Sequence, residues 1–229
     1  MSTRMRVLVA CEFSGVVRDA FLALGHDAWS CDLLPTESPG PHYGADVREV
    51  LESTTWDLMI AHPPCTHLAT SGARWFKDKA DVQEEALDFI RFLLNAPVPR
   101  IALENPVGII STRIKRPTQV VDPWEFGDGV SKATCWWLKN LPKLRRTDVV
   151  QGRSPRIASA PDIKDRWKFR SRFFPGMAKA MADQWGKLGP FDFIQTCIVC
   201  RNTFKTTDDV RYSNTCDECS EELRRELGI

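Results

Sequence analysis

Two short stretches carry the side chains best suited to covalent chemistry, Ala61-His62-Pro63-Pro64-Cys65 and Leu103-Glu104-Asn105-Pro106. A cysteine thiolate is strongly nucleophilic and a positioned carboxyl can donate or share a proton. Together they suit addition of sulfur to an electrophilic carbon, with the developing charge offset by an acid. The prolines before Cys65 cannot donate to a sheet ladder, so the apolar run 56–60 must stop as a strand and give way to a rigid loop. That places the thiol at a strand's carboxyl end, the edge at which open α/β sheets bind ligands. The competing role for Cys65 is that of most free cysteines, a small buried hydrophobe. Residues 100–104 form the next strand and deliver Glu104 to the same edge. An ordinary thiol is mostly neutral near pH 7, so a reactive Cys65 requires positive charge beside it; His62, His67 and Arg74 are the candidates near in sequence.

Other positions have binding chemistry. Asp32 ends a second strand, 27–31, where a carboxylate can accept hydrogen bonds from ribose hydroxyls; a helix cap or loop acid is the alternative. Asp46 precedes a short helix at 48–51 and reads either as a cofactor contact or as its N-cap. Near the end, Cys197 and Cys200 are separated by 15 residues from Cys216 and Cys219, the spacing of a four-thiolate Zn2+ site. Such a site closes the metal's tetrahedron, so its expected contribution is stability of a small unit at 191–229, with a protein partner as a further role.

The elements that must position these groups alternate between strand and helix. A strand at 5–11 leads to a helix at 15–24, and after strand 27–31 the Pro- and Gly-rich stretch 33–43 is a loop. An amphipathic helix is expected at 81–94 with Val82, Ala86, Phe89, Ile90 and Leu93 inward. Residues 107–118 show no period, short strands are expected at 120–121, 124–126 and 133–138, and a helix at 175–185 has Met177, Ala178, Met181 and Trp185 on one face. The pattern predicts an α/β fold, a mostly parallel sheet closed by antiparallel strands. With 229 residues, the organisation expected is one domain over 1–190 and a small unit over 191–229.

Composition narrows the setting. Hydrophobic residues make up 43% and charged ones 27%, ordinary for a water-soluble globular chain, and no apolar run nears the roughly 20 residues a membrane span needs. No secretory leader is evident, and eight cysteines arranged as four scattered and two close pairs favour a reducing compartment such as the cytosol. Segment 139–172 holds eleven Lys/Arg against three Asp, and segment 140–174 also contains Trp167, Phe169, Phe173 and Phe174, a mixture that suits a nucleic-acid groove or a solvated loop with aromatic anchors. Segment 191–229 has five basic and eight acidic residues and is poorly suited to phosphate.

Taken in order, Ala10-Cys11-Glu12-Phe13-Ser14-Gly15, Cys31-Asp32, Gly44-Ala45-Asp46, His62-Pro63-Pro64-Cys65 and Leu103-Glu104-Asn105-Pro106 resemble the cofactor and catalytic motifs of DNA (cytosine-5) methyltransferases. The chain is similar to a compact, phage-type or prophage-type member lacking a full target-recognition domain; the resemblance covers about residues 5–106 and, more loosely, 175–186. It implies a class I, Rossmann-like S-adenosylmethionine-dependent methyltransferase fold carrying a small zinc-ribbon-like unit. Phe13, Ser14, Gly15 and Pro63 would then lie at the cofactor, with Asp32 on its ribose and Asp46 on its adenine. Cys65 would add to carbon-6 of cytosine and Glu104 would serve as the acid, with Asn105, Lys132, Arg170 and Arg172 meeting the substrate. His62 stands where the family has glycine, Pro106 where it has valine, and Val16-Val17 follow Gly15 in place of a second glycine. Segment 141–170 is much shorter than the domain such enzymes use to read sequence. The resemblance therefore implies DNA methylation with little or no sequence specificity, in a bacterial or phage-infected cytosol. Free pyrimidine nucleotide, single-stranded DNA or RNA is the alternative substrate, and a silent fold binding a partner through its zinc unit is the alternative class. Cys135 reads either as a second cysteine of the RNA-directed kind or as core.

Overall fold

In β1 (Arg6–Ala10), Val7 and Val9 fall on one face and Leu8 and Ala10 on the other, and all four are fully buried. A strand apolar on both sides belongs inside a parallel sheet covered on both faces. β4 (Leu58–Ala61) is buried throughout and β5 (Arg100–Pro106) nearly so. Together with β2 (Asp27–Cys31), β3 (His42–Tyr43), β6 (Gln119–Val121) and β8 (Thr134–Lys139) they form a seven-stranded sheet in the order β3-β2-β1-β4-β5-β8-β6. Strands β1 to β5 run parallel, and β8 is antiparallel to both β5 and β6. The mixed α/β sheet expected from the sequence is therefore present. A small parallel pair, β7 (Val130–Ser131) with β9 (Ser154–Pro155), stands apart from it.

The computed structural model describes residues 4–70, 80–155, 166–189, 193–196 and 203–206. The chain divides into one compact unit of residues 4–187 and another of residues 1–3 with 188–229. In the first unit, α1 (Val16–Leu22) packs against α6 (Pro175–Trp185), whose Trp185 meets Trp136 of β8 edge-on at 5.7 Å. Leu87, Ile90 and Leu93 of α3 (Ala80–Leu94) join Leu8, Met59, Ile101 and Leu103 in the core of the other face, together with Val47, Val50 and Leu51 of α2 (Val47–Ser53). Each such aliphatic side chain contributes about 1.5–3 kcal/mol on burial. Two short helices, α4 (Ile110–Arg113) and α5 (Arg166–Ser171), complete this unit. In the second, β10 (Phe193–Thr196) pairs antiparallel with β11 (Thr203–Thr206). Cys197, Cys200, Cys216 and Cys219 lie outside the described residues. Among the described residues no group of three His, Cys, Asp or Glu side chains is placed to hold a metal, and no helix is long and apolar enough to cross a membrane.

Several local expectations are corrected. The inner face of α3 is turned by about one residue: Gln83, Leu87, Ile90 and Leu93 are buried, whereas Val82 is 43% exposed. Gln83 takes the inner position because its amide donates to the His67 carbonyl at 3.0 Å. Residues 124–126 do not form a strand, because Pro123 at the first helical position and a capping box between Asp122 and Glu125 close a 3-10 turn over Pro123–Glu125. The irregular stretch 107–118 holds α4, and β3 lies inside the segment expected to be all loop.

Candidate active site

The register of the sheet sets the site. Ala10 pairs with Cys31 on one side and Ala61 on the other, Ala61 pairs with Leu103, and Glu104 faces Trp136 across β8. The residues just past these positions, Cys11-Glu12, Asp32 and His62–Cys65, therefore come out at one edge beside Glu104. The chain leaves β1 toward β2 and β3, then returns to β4 and β5 on the other side. The space between β1 and β4 is thus the topological switch point, where doubly wound sheets bind their ligands.

A cavity of about 270 Å³ opens at this edge, lined by Cys11, Cys31, Asp32, Leu33, Ala45, Asp46, Val47, Arg48, Pro64 and Phe89. Asp32 is held by its Oδ1, which accepts from the Leu34 N–H at 2.9 Å; burial, partly opposed by that bond and by His42, pushes its carboxyl above the ordinary value. Asp46 is the N-cap of α2, accepting from the Arg48 N–H at 2.9 Å through Oδ1 and pairing with the Arg48 guanidinium at 2.9 Å through Oδ2. It thus fills the capping role while also lining the cavity. Burial, with the charges of Asp32 and Asp46, pushes the Cys31 thiol up to about 12, and Cys11 is raised by the same causes. Both are poor nucleophiles, unlike a thiol whose charge is stabilised.

Phe13, Ser14 and Gly15 start α1 beside this cavity's Cys11, with Phe13 and Ser14 buried and Gly15 left-handed at φ 76°. Sequence reasoning overlooked what holds them. The buried Glu12 carboxylate accepts from the Val17 N–H at 2.8 Å, the Arg18 N–H at 3.3 Å and the Ser14 hydroxyl at 3.1 Å, and so caps α1 from the preceding loop. Arg18, fully buried, donates to Asp19, Ser30, Thr36 and the carbonyls of Ser38 and Pro41, and fixes loop 33–41 against α1. An acid two residues past a strand and just before a helix was the legible part of this signal; the arginine's inward course was not.

Cys65 is exposed on the loop after β4, and β5 anchors that loop. Asn105 donates its Nδ2–H to the Pro63 carbonyl at 2.9 Å, which turns the buried Pro63 inward and leaves Pro64 to line the cavity. Beyond Cys65, Ala69 bridges to Gly108 and the Ile109 N–H donates to Leu68 at 2.9 Å. The approach is so close that a Cβ on Gly108 would overlap the Leu68 carbonyl, so glycine is required there. Glu104 is buried next to this loop, with Oε2 3.4 Å from His62 Nδ1 and Oε1 3.9 Å from the Lys132 ammonium. Burial works to raise the Glu104 carboxyl, but Lys132 and His62 together outweigh it and hold it below the ordinary value. Glu104 Oε1, Asn105 Oδ1, His62 Nε2 and Trp136 Nε1 are all buried without a hydrogen-bond partner among the described residues. Buried polar atoms are normally paired, so the three that gather around Glu104, those of Glu104, His62 and Trp136, mark a place suited to a polar ligand.

The expectation that nearby positive charge lowers the Cys65 thiol is corrected. Although the residue is exposed to solvent, the protein packed around its sulfur desolvates it, and that first and the Glu104 charge second push the thiol up; Lys132 and Arg170 only partly oppose them. Of the cations expected to act on it, Arg74 lies outside the described residues, and His67 uses its carbonyl to hold Gln83. Lys132 and Arg170, read from sequence as substrate contacts, are the charges that favour the thiolate. Arg172 is bound bidentately to Glu37 at 2.7 and 3.0 Å and so ties the end of α5 to loop 33–41. Cys135 is buried in β8 opposite Asn105 and belongs to the core. A second cavity of about 450 Å³, with Phe126, Asp128, Asp148, Lys179 and Asp183 in its wall, shares no residue with the first.

No protein-family model matches the chain, and no curated protein matches it. Among solved structures, it is similar to a DNA modification methyltransferase encoded within a prophage of E. coli, at 13% identity and TM-score 0.42, over 69% of this chain and 56% of that one. It is also similar to the Entamoeba histolytica methyltransferase EhMeth, at 14% identity and TM-score 0.41, over 65% and 58% of the two chains. A Spodoptera frugiperda DNMT2 mutant gives 16% identity and TM-score 0.38 over 65% and 54%. The chain spans a little over half the length of these structures.

Proposed function

We propose that the protein transfers a methyl group from S-adenosylmethionine to carbon-5 of cytosine in DNA through a covalent Cys65 intermediate, on a class I methyltransferase fold. The observation that carries this reading is the tie between the two motifs: Asn105 bonds the Pro63 carbonyl and seats the Cys65 loop beside buried Glu104, whose Oε1 has no hydrogen-bond partner among the described residues. The order and spacing of the sequence motifs support it independently.

The cavity at the switch point fits the cofactor. Asp32 offers a carboxylate for ribose hydroxyls at the end of β2, and Val47, Pro64 and Phe89 offer apolar surface for a ring. Asp46 lies in the same wall; Phe13, Ser14 and Gly15, between the cavity's Cys11 and the start of α1, are proposed to meet the cofactor from beside it. S-adenosylmethionine, when bound, supplies an electrophilic methyl group. Carbon-5 of cytosine is a weak nucleophile, and addition of the Cys65 sulfur to carbon-6 turns the ring into an enamine able to take that methyl. Glu104 offsets the charge that reaches ring nitrogen-3. The raised Cys65 thiol fits a coupled activation: a proton shared between Glu104 and ring nitrogen-3 neutralises the charge that opposes the thiolate, and Lys132 and Arg170 then dominate its field. Lys132, set 5.7 Å from the Phe174 ring, and exposed Arg170 are proposed to meet the substrate as well. For Arg172 the bond to Glu37 favours an organising role.

Labelled methyl donor offered in parallel to duplex DNA, single-stranded DNA, RNA and dCMP tests the reading. Label is expected in DNA, at carbon-5 of cytosine; label confined to dCMP or RNA moves the assignment to the alternative substrate, and label in none removes the enzymatic reading.

Domain 1–190 is proposed as the catalytic part. In 191–229, Cys197, Cys200, Cys216 and Cys219 are proposed to hold one structural zinc ion. Elemental analysis of freshly purified protein is expected to give one zinc per chain, and a metal content near zero would refute that site.

A further inference from the structure

We infer that His62 and Glu104 hold one proton between them and deliver it to ring nitrogen-3 of cytosine as Cys65 adds, an inference that rests on the cytosine-5 transfer proposed above. Three observations converge on His62. Its Nδ1 lies 3.4 Å from Glu104 Oε2. Its ring is sheltered, 4.5 Å from Phe173 and 6.3 Å from Trp136, with Nε2 buried and without a hydrogen-bond partner among the described residues. Its backbone is fixed, because the His62 N–H donates to the Ala10 carbonyl at 2.9 Å.

The need for such a donor follows from Glu104 itself. Addition at carbon-6 requires a proton at nitrogen-3, yet the free site keeps the Glu104 carboxyl below its ordinary value, ionised. The charged groups around His62 decide where its proton goes. Glu12, from the loop after β1, is close enough to feel His62, but its oxygens already accept from Ser14, Val17 and Arg18. Glu104 on β5 has Oε1 without a hydrogen bond among the described residues, in a long ion pair with Lys132 at 3.9 Å. Cys65 lies three residues on in the same loop, and Arg170 of α5 acts on Cys65. Glu104 is therefore the acceptor with capacity to spare.

The proton balance closes. After Cys65 has lost its proton to solvent, the sulfur–carbon-6 bond forms and the carbon-5–carbon-6 electron pair moves through carbon-4 to nitrogen-3. Nitrogen-3 takes a proton through Glu104 from the Nδ1 of His62, which enters the step as imidazolium and leaves it neutral, with its remaining proton on Nε2. Once carbon-5 is methylated and has lost its hydrogen to a base, the sulfur leaves and nitrogen-3 returns the proton to the pair.

The test uses the full chain with His62→Gln, with His62→Asn should the first fail to fold, alongside Glu104→Gln and the double variant. At neutral pH, His62→Gln is expected to lower kcat on the order of 10²-fold with KM little changed. Without His62 the burial of Glu104 pushes its carboxyl upward, so solvent can protonate it: the variant's kcat should recover as pH falls, whereas the parent's should not. The double variant should be no slower than Glu104→Gln alone, because both changes remove the same proton. A deficit equal at every pH, or losses that multiply in the double variant, would overturn the inference. Trapping on a 5-fluorocytosine oligonucleotide separates this from the underlying reading: an adduct at Cys65 with a pH-independent His62→Gln defect rejects the proton-sharing pair alone, and no adduct in the parent rejects both.

Discussion

Cys65→Ala is expected to abolish methyl transfer, a loss of at least about 10⁴-fold, while leaving S-adenosylmethionine binding near the parent's. The separation is expected because the cavity wall includes Pro64 but not Cys65, and because the loop is held by the Asn105–Pro63 bond, which does not involve the thiol. Single-turnover counting of labelled methyl groups, with calorimetry on the same preparations, checks both halves. Glu104→Gln should be slowed by about 10²- to 10⁴-fold, less than Cys65→Ala, because the sulfur forms a bond whereas the acid stabilises charge. A cofactor affinity that collapses in Cys65→Ala would show that the thiol supports the cavity.

Arg18→Met is expected to destabilise the unit of residues 4–187 by about 3 kcal/mol and to weaken binding of S-adenosylmethionine, the proposed cofactor, as well. Methionine keeps much of the volume but leaves Ser30, Thr36 and the carbonyls of Ser38 and Pro41 without their buried donor. For a unit of this size the melting temperature should fall by roughly 6–12 °C. The binding loss follows from position: Arg18 holds loop 33–41 against α1, and Asp32 and Leu33, at the foot of that loop, line the cavity. Asp19, which takes the Arg18 Nε–H at 2.8 Å and the Ser38 hydroxyl at 2.6 Å, should show a smaller effect when changed to Asn, since its side chain is partly exposed.

The strands were legible because burial on both faces writes itself as continuous apolar residues: 27–31 was read to the residue, and β1, β4 and β5 to within two at either end. Proline punctuation placed the Cys65 loop correctly at a carboxyl edge, and α6 was read to the residue from Pro175 and its apolar face. The inner face of α3 was misread because a buried glutamine paid for by one carbonyl looks, in a hydropathy pattern, like a surface residue. The 3-10 turn at Pro123 hid behind aromatic residues that favour strands. Within the candidate site, motif spacing picked out Cys65, Glu104 and Asp32. It could not show that Asn105 holds the loop, that Glu12 caps α1 or that Glu104 opposes the Cys65 thiolate. Those depend on which donor reaches which acceptor across 5 to 42 residues of chain.

The most direct test of the central claim is intact-mass analysis of the denatured protein after incubation with S-adenosylmethionine and an oligonucleotide carrying 5-fluorocytosine. Fluorine at carbon-5 cannot leave as a proton, so elimination stops after methylation and the sulfur stays bonded to carbon-6. The denatured protein should be heavier by one methylated oligonucleotide, in an adduct formed only with the methyl donor present and absent from Cys65→Ser. Methyl transfer to ordinary cytosine with no such adduct, or turnover surviving in Cys65→Ala, would contradict it.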